Sequence, residues 1–542
     1  MAWAVGLDET DPLLRGALRL AAGLGSAALL LALLALGGLF AIGPYLLAAL
    51  TVPSLLWFVR RRPVGLPRLP LAAAPLAVAA LAALAPVTDP DSLAYPLPIA
   101  RRLAEDGAWR FWPEMWRGVF PLSQEMLTAV VLRLGGDRPA ALTALELALG
   151  AALLYALARR LAGDEAAPAA LLLGFGCPVA AYLAISAKED LLLCAMALAA
   201  AHALLSGRAA AAGLFAGFAA GAKYPGLGVV AGVVLYLALT RRWRGAAAAA
   251  GTALLGGGVW YAVNLARFGN PLPPYLAPPL PSFLTPLATA GALETFRWGE
   301  GRAVVDALLA PVRMLIHPDR FGTAGGLFHP LAWLGLVEMA RDRRRHAPLA
   351  TLFVMLYAVW FCTNQVARLL LPAALLLSVP AAACLARPRV PRWLRAAVLV
   401  ASAACPVLIG GLHLVRYLRE PATFLERQTQ GYADLAWMNE HLDASRGRVA
   451  TMFKACDPLR IPWINLDPSY QAEIAPEEMR DPDRFLAALR RARVTHLFVP
   501  RGRLPALEAR LTAVRENPAS RLGGVHLLRE APTVATAVYR LP

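Results

Sequence analysis

The sequence predicts an all-α polytopic membrane protein with a small α/β domain at its C-terminus. Of its 542 residues, 58% are hydrophobic and only 16% are charged, whereas ordinary soluble domains have about 25% charged residues. The apolar residues form blocks close to the length of a bilayer-crossing helix, separated by polar turns. Many of these turns carry arginine, which is typical of the cytoplasmic side of membrane proteins.

A crossing takes about 20 residues at about 1.5 Å of rise per residue. On that basis, the apolar segments predicted to cross the membrane are 17–38, 41–59, 69–87, 139–158, 166–186, 189–206, 209–223, 225–240, 245–266, 327–340, 347–362, 368–386 and 396–414. Segments 209–223 and 327–340 are short for a crossing. The prediction is therefore about 13 transmembrane helices.

The basic turns predict the orientation. If the N-terminus is cytoplasmic, every cytoplasmic connection contains arginine, as the positive-inside rule requires. The arginines lie at 60–68, 159–160, 208, 241–244, 341–345 and 387–395. The sequence thus predicts a multi-pass protein of the inner (plasma) membrane with an extracytoplasmic C-terminal domain. The net charge of +17 is explained by these turns, so nucleic-acid binding is not predicted.

The predicted domains are a transmembrane module, 1–414, and an extracytoplasmic α/β domain, 415–542. Long outer loops at 88–138 and 267–326 belong to the module, and Pro121–Leu134 is predicted to be an interfacial helix. In the tail, alternating short apolar runs predict an α/β arrangement. The predicted strands are Val449–Phe453, His496–Val499, His526–Leu528 and Ala535–Tyr539, and the predicted helices are Phe485–Arg493 and Leu504–Val514. The six cysteines show no disulfide or zinc spacing.

Two carboxylates, Asp89 and Asp91, open the first outer loop directly after a predicted span. A carboxylate at the membrane face can act as a general base or bind a metal ion. The alternative is that Asp89 and Asp91 cap the helix predicted to follow, Pro98–Glu105. Lys188, Glu189 and Asp190 open another predicted helix on the same face, where acidic residues also suit the helix dipole.

Cationic residues lie at the outer edge of the predicted module. Arg368 begins a predicted span, and Arg313, His317 and Arg320 lie near the end of the second loop. Such groups can hold a phosphate. The alternative is that their side chains extend to the lipid headgroups.

Four motifs in order resemble those of the bacterial GT-C glycosyltransferases, relatives of the protein O-mannosyltransferases (family 39-like). Asp91-Ser92-Leu93-Ala94-Tyr95 resembles their first-loop Asp-x-x-x-Tyr-His signature, and Gly221-Ala222-Lys223-Tyr224 resembles their Gly-x-Lys-Tyr turn. Gly269-Asn270-Pro271-Leu272-Pro273-Pro274 is similar to their Gly-Asn-Pro-x-x-Pro loop, and Arg368-Leu369-Leu370-Leu371-Pro372 to their Arg-Tyr-x-x-Pro helix start. The chain departs from the family at Pro96, where His is usual, and at Leu369, where Tyr is usual.

The resemblance implies a membrane glycosyltransferase that takes a sugar from a polyprenyl-phosphate carrier on the outer face. It implies Asp91 as catalytic base, with Asp89 as the second candidate. The acceptor would be a hydroxyl of a glycan, lipid or protein. The departing phosphate needs positive charge or a divalent metal ion. The residues expected to bind substrate are Tyr95, Glu189, Asp190, Lys223, Tyr224, Asn270, His317, Arg320 and Arg368.

Two other functions are compatible with a polytopic protein. One is a transporter or flippase of lipid-linked sugars, but such proteins place their sites near the midplane between matching halves, and no matching halves are evident. The other is a non-catalytic scaffold of the cell envelope, which does not require paired carboxylates beside a basic rim. Turnover of a lipid-linked sugar distinguishes the enzyme from both.

Overall fold

The computed structural model of the chain describes residues 11–51, 71–275, 301–322, 328–522 and 532–542. Most of these residues are helical, and a small sheet forms in the tail. The predicted strand His526–Leu528 lies outside the described residues, as do parts of the predicted span 41–59 and of the second outer loop.

The apolar helices that the structure describes lie within residues 12–419. Their bounds are Pro12–Leu36, Phe40–Thr51, Leu71–Ala82, Ala140–Ala162, Ala167–Phe175, Pro178–Ala184, Asp190–Leu205, Ala209–Ala222, Gly226–Leu239, Trp243–Phe268, Leu334–Arg341, Arg343–Cys362, Ala367–Leu385 and Arg392–Arg419. Each predicted segment overlaps one of these helices where the structure describes it. Within the described ranges, six helices are long and apolar enough to cross a membrane, or seven with the pair Ala167–Phe175 and Pro178–Ala184, which is bent by 73°. The larger number of about 13 crossings stays a prediction.

Small residues allow the central helices to pack closely. Gly213 and Gly217 on helix Ala209–Ala222 face Ala249 and Ala253 on helix Trp243–Phe268. A Cβ added at Gly213 would lie 2.1 Å from the Ala249 carbonyl oxygen, and one at Gly217 would lie 2.3 Å from that of Ala253. This spacing of small residues is a common way for membrane helices to approach without a large apolar side chain between them.

Shorter helices lie in the loops between the apolar helices. They are Pro90–Ala94, Pro96–Asp106, Ser123–Arg133 and Val304–Ile316, with 3₁₀ turns at Pro113–Val119, Pro318–Phe321 and Pro330–Trp333. Helix Ser123–Arg133 falls within the predicted interfacial helix. Its first seven residues are buried, and it packs against helices Pro96–Asp106 and Pro12–Leu36 rather than lying fully exposed on a surface.

The tail contains a five-stranded sheet in the order β2-β1-β3-β5-β4. The strands are β1 (Val449–Thr451), β2 (Trp463–Asn465), β3 (His496–Pro500), β4 (Thr512–Arg521) and β5 (Thr533–Arg540). Strand β1 pairs in parallel with β2 and β3, whereas β5 is antiparallel to β3 and β4. The helices of the tail are Phe424–Gln428, Tyr432–His441, Pro482–Arg491 and Pro505–Glu508.

The α/β character of the tail is confirmed, but one predicted helix is wrong. Segment Leu504–Val514 was expected to be helical throughout, whereas the helix stops at Glu508 and the chain enters β4 at Thr512. Pairing with β5 overrides the local helical preference, because Thr512 and Ala513 lie opposite Arg540 and Tyr539. Strands β2 and β4 were not predicted. The first has three residues, and the second is polar, largely exposed and interrupted by bulges.

Candidate active site

The two loop carboxylates have different environments. Asp89 is buried and caps helix Pro90–Ala94, where its Oδ2 accepts hydrogen bonds from Ser92 N at 2.7 Å and Ser92 Oγ at 2.6 Å. Asp89 is therefore a helix cap, as the alternative expected, but of helix Pro90–Ala94 rather than of the predicted helix Pro98–Glu105, which in the structure is Pro96–Asp106 and begins after Tyr95. Asp91 lies in the first turn of the same helix, but its side chain is 25% exposed and faces a group of cations.

Asp91 is contacted on both carboxylate oxygens. Arg368 Nη1 lies 2.8 Å from Oδ2, and Lys188 Nζ lies 3.6 Å from the same oxygen. On the other side, Tyr470 donates its hydroxyl hydrogen to Oδ1 at 3.2 Å, and Lys454 Nζ lies 3.7 Å from Oδ1. Four residues from distant parts of the chain thus converge on one carboxylate.

These cations determine the protonation of Asp91. Burial raises its pKa, but the positive charges of Lys188 and Arg368, and then of Lys454, lower it by more. The result is a pKa well below the ordinary value of 3.8. Asp91 is therefore ionised at neutral pH and can accept a proton once a partner is displaced.

Lys188 contacts the carboxylates of both Asp89 and Asp91. Its ammonium is fully buried and lies 3.0 Å from Asp89 Oδ2. It also donates a hydrogen bond to the Tyr182 hydroxyl at 2.8 Å, and that hydroxyl in turn donates to Asp89. Because each of these buried polar groups has a partner, the network can fix the loop without leaving an unpaired charge.

A second ion network continues from the first through Tyr95. Lys223 Nζ lies 2.7 Å from Glu189 Oε1 and 3.1 Å from Asp190 Oδ1, and Tyr95 donates a long hydrogen bond, 3.4 Å, to Glu189 Oε1. The structure thereby brings Tyr95, Glu189, Asp190 and Lys223 close to the loop that carries Asp91.

Arg117 lies between the aromatic rings of the site. Its guanidinium carbon is 4.6 Å from the centre of the Tyr95 ring and 4.2 Å from that of Tyr470. A guanidinium stacked on tyrosine is a favourable cation–π arrangement. Through these two rings, Arg117 joins the first outer loop to the tail.

The remaining predicted residues form two groups. The Tyr224 hydroxyl donates to the Pro273 carbonyl at 2.9 Å, and Asn270 Oδ1 accepts from Leu272 N at 2.8 Å. These contacts join the Gly-x-Lys-Tyr turn to the proline-rich loop. His317 and Arg320 are exposed on the segment after helix Val304–Ile316, and their role as phosphate ligands stays a prediction.

The donor set around Asp91 does not fit a divalent cation. Within the described ranges, no group of three or more His, Cys, Asp or Glu side chains is placed to hold a metal ion. Asp89 and Asp91 instead face the ammonium of Lys188 and, for Asp91, the guanidinium of Arg368. Positive charge at this site is thus supplied by the protein.

Sequence reasoning identified Asp91 and Arg368 but missed Lys454, Tyr470 and Arg117 as neighbours of the site. One signal was available. The chain has only three lysines among its 53 lysines and arginines, and all three contact the carboxylates of these two networks. Lysine carries a compact point charge whereas arginine carries a planar fork. In a chain whose other cations are arginines, the positions of the lysines therefore indicate where a point charge is used.

The fold was compared with known proteins. ArnT from Cupriavidus metallidurans bound to undecaprenyl phosphate matches with a TM-score of 0.55 and 16% identity, over 86% of this chain and 97% of ArnT. The GT-C fold is thereby shown. ArnT in the apo state also scores 0.55, with 17% identity over 90% of this chain and 98% of ArnT.

A weaker likeness is to the oligosaccharyltransferase AglB from Archaeoglobus fulgidus, with a TM-score of 0.49 and 13% identity over 82% of this chain and 72% of AglB. No family model matches the sequence, and no curated protein matches it closely.

Proposed function

We propose that the chain is a membrane glycosyltransferase that moves a sugar from a polyprenyl-phosphate carrier to an acceptor hydroxyl. The observation that carries the proposal is Asp91, an ionised carboxylate at a loop beside a membrane helix, surrounded by cations. The shared fold supports it, because ArnT has been crystallised with undecaprenyl phosphate. A glycan, lipid or protein can provide the hydroxyl.

The proposed reaction is a single displacement. Asp91 accepts the proton of the acceptor hydroxyl while the hydroxyl oxygen bonds to the anomeric carbon. The bond from that carbon to the carrier phosphate breaks, and the phosphate leaves with the electron pair. Arg368 is the proposed phosphate ligand, because a guanidinium binds phosphate oxygens with two parallel hydrogen bonds. A positioned base contributes about 10²–10⁴-fold to such a reaction.

Residues of the second network are proposed to bind the sugar. Lys223 holds Glu189 and Asp190 in fixed positions. Tyr95 contacts both sides, because its hydroxyl donates to Glu189 and its backbone N donates to the Asp91 carbonyl. Charged and aromatic groups of this kind orient hydroxylated ligands through hydrogen bonds and ring contacts. Tyr224 and Asn270 would support this wall through the contacts of their own loops.

The site is proposed to lie on the extracytoplasmic face of the inner membrane. The arginine turns predicted to be cytoplasmic support this orientation, because several meet at one end of the helices. Arg159 Nη1 lies 3.1 Å from Asp11 at the start of the first helix, Arg160 donates to the Leu205 carbonyl at 3.0 Å, and Arg242 donates to Gly207 at 3.0 Å. The Asp91 loop is at the other end of helix Ala140–Ala162 from Arg159.

Reporter fusions test that orientation. Fusions after Arg62, Arg244 and Arg345 should report a cytoplasmic location, and a fusion after Pro542 an external one, as the positive-inside rule predicts. A cytoplasmic signal from the fusion after Pro542 would contradict the odd number of crossings.

Turnover tests the chemistry. Purified protein should release polyprenyl phosphate from at least one member of a panel of polyprenyl-phosphate sugars when an acceptor is present. A transporter or flippase, the alternative, would move the lipid-linked sugar without cleaving it. Movement without cleavage across the whole panel would therefore contradict the proposal.

A further inference from the structure

We propose that the C-terminal tail completes the active site, with Lys454 binding the phosphate of the donor and Tyr470 positioning Asp91. This inference rests on the proposed function, since it names further residues of the same site. It also gives the tail a direct part in the reaction rather than that of an appended domain.

The topology of the sheet brings the two residues together. Strands β1 and β2 are parallel neighbours, so their carboxyl ends lie at the same edge. Lys454 follows the end of β1 at Thr451, and Tyr470 follows the end of β2 at Asn465. Loops at the carboxyl ends of parallel strands are the usual ligand-binding edge of α/β sheets. Here that edge faces Asp91.

The loop after β1 is anchored to the first outer loop. The Leu93 carbonyl oxygen accepts hydrogen bonds from Cys456 N at 3.1 Å and Asp457 N at 2.9 Å. Arg101 donates two parallel hydrogen bonds to the Asp457 carboxylate, at 3.1 Å and 2.9 Å. Since Leu93 is two residues from Asp91 and Cys456 two from Lys454, these bonds fix the register of the two loops.

The loop after β2 is anchored separately. Ala472 N donates to the Pro113 carbonyl at 2.8 Å, and Arg117 Nε donates to the Ser469 carbonyl at 2.8 Å. These bonds lie on either side of Tyr470, so its hydroxyl is held over Asp91. Backbone and bidentate contacts on two loops indicate a defined docking geometry.

Lys454 is the lysine of the site that a ligand can reach. Its side chain is 45% exposed, whereas that of Lys188 is fully buried. A donor phosphate that binds next to Asp91 can form ion pairs with Lys454 and Arg368 in place of the Asp91 carboxylate. The carboxylate then has fewer cationic partners and can accept a proton. Tyr470 and Lys188 remain to hold it. In this view the same phosphate that leaves in the reaction also frees the base.

The experiment measures binding and turnover separately. Lys454→Gln, Lys454→Arg and Tyr470→Phe are purified as full chains, with Arg446→Gln as the matched control because Arg446 is an exposed cation of the same tail. Dissociation constants are measured for undecaprenyl phosphate, and kcat and KM for the lipid-linked sugar that the wild type uses. Elution as a monodisperse species shows that each variant is folded.

Lys454→Gln should weaken undecaprenyl phosphate binding by about tenfold to a hundredfold, the effect of losing one charge-assisted hydrogen bond. Lys454→Arg should restore most of the affinity. Tyr470→Phe should lower kcat by about tenfold with little change in the dissociation constant, since it acts through Asp91. Arg446→Gln should match the wild type.

Wild-type affinity in Lys454→Gln together with wild-type kcat in Tyr470→Phe would overturn this inference and leave the proposed function intact. A wild-type protein that neither binds undecaprenyl phosphate nor cleaves any lipid-linked sugar would instead overturn the proposed function. The two failures are thus distinguishable.

Discussion

Replacing Asp91 by asparagine should separate donor binding from transfer. The change preserves the shape of the side chain but removes its negative charge, and with it the ability to accept a proton. Transfer should fall by about 10²–10⁴-fold, the usual contribution of a positioned base. The Asp91 carboxylate also forms ion pairs with the two proposed phosphate ligands, Arg368 at 2.8 Å and Lys454 at 3.7 Å, and so competes with the donor phosphate for them.

Removing that charge should strengthen phosphate binding rather than weaken it. A charge pair about 4 Å apart is worth roughly 4 kcal/mol at an effective dielectric constant of 20. Because Asp91 and Lys454 are both partly exposed, solvent screening reduces this considerably. Even about 1.4 kcal/mol would correspond to a tenfold gain in affinity. Asp91→Asn should therefore bind undecaprenyl phosphate at least as tightly as the wild type.

The assay compares three variants at matched expression: Asp91→Asn, Asp89→Asn and Asp190→Asn. Asp89→Asn keeps a good capping side chain, but it leaves the buried Lys188 ammonium with Asp91 as its remaining carboxylate partner, so it should lower the free energy of unfolding by about 3–5 kcal/mol at most. Its effect on transfer should be smaller than that of Asp91→Asn. Near-normal turnover by Asp91→Asn would refute the assignment of the base, and weakened phosphate binding would refute the competition between Asp91 and the donor.

Three further predictions follow from the ion networks. Arg368→Ala should weaken donor binding, and Arg368→Lys should restore it only in part because a point charge lacks the planar fork; equal affinities across the three proteins would exclude this residue from the site. Lys188→Met should lower the free energy of unfolding by about 3–5 kcal/mol, since it leaves Asp89 buried without its cation; thermal unfolding in detergent checks this, with Asp89→Asn added to Lys188→Met expected to recover part of the loss. The cations around Asp91 lower its pKa, so the stabilising contribution of the ionised carboxylate is present above about pH 4 and is lost as the pH falls through the folded-state value. A pH profile of kcat/KM should therefore show no decline from protonation of Asp91 above about pH 5. Arg368→Ala removes one of these cations and should move that decline to higher pH.

Much of the helical architecture could be predicted because its signal is local. Blocks of apolar residues and intervening arginines are visible in sequence, and every predicted segment overlaps a helix in the described ranges. The number of crossings is harder to predict. Length and composition do not tell whether short helices such as Ala209–Ala222 cross a membrane or only pack among others that do.

The site was predictable in part for the same reason. Asp91 lies in a short motif, so residue type and spacing alone predict it as a site residue. Tyr470 is 379 residues away from Asp91 in sequence, and no local pattern connects the two. Their contact depends on a three-residue parallel strand, β2, whose existence only pairing with β1 reveals. Long-range docking of this kind is a property of the folded chain.

The scarcity of lysine makes the site chemically addressable. Every side-chain amine of this protein belongs to Lys188, Lys223 or Lys454, and their exposed fractions are 0%, 15% and 45%. An amine-selective reagent should consequently modify Lys454 well before the others, apart from the amino terminus. A single mass shift on one peptide would then report whether the site is open or occupied, without any engineered label.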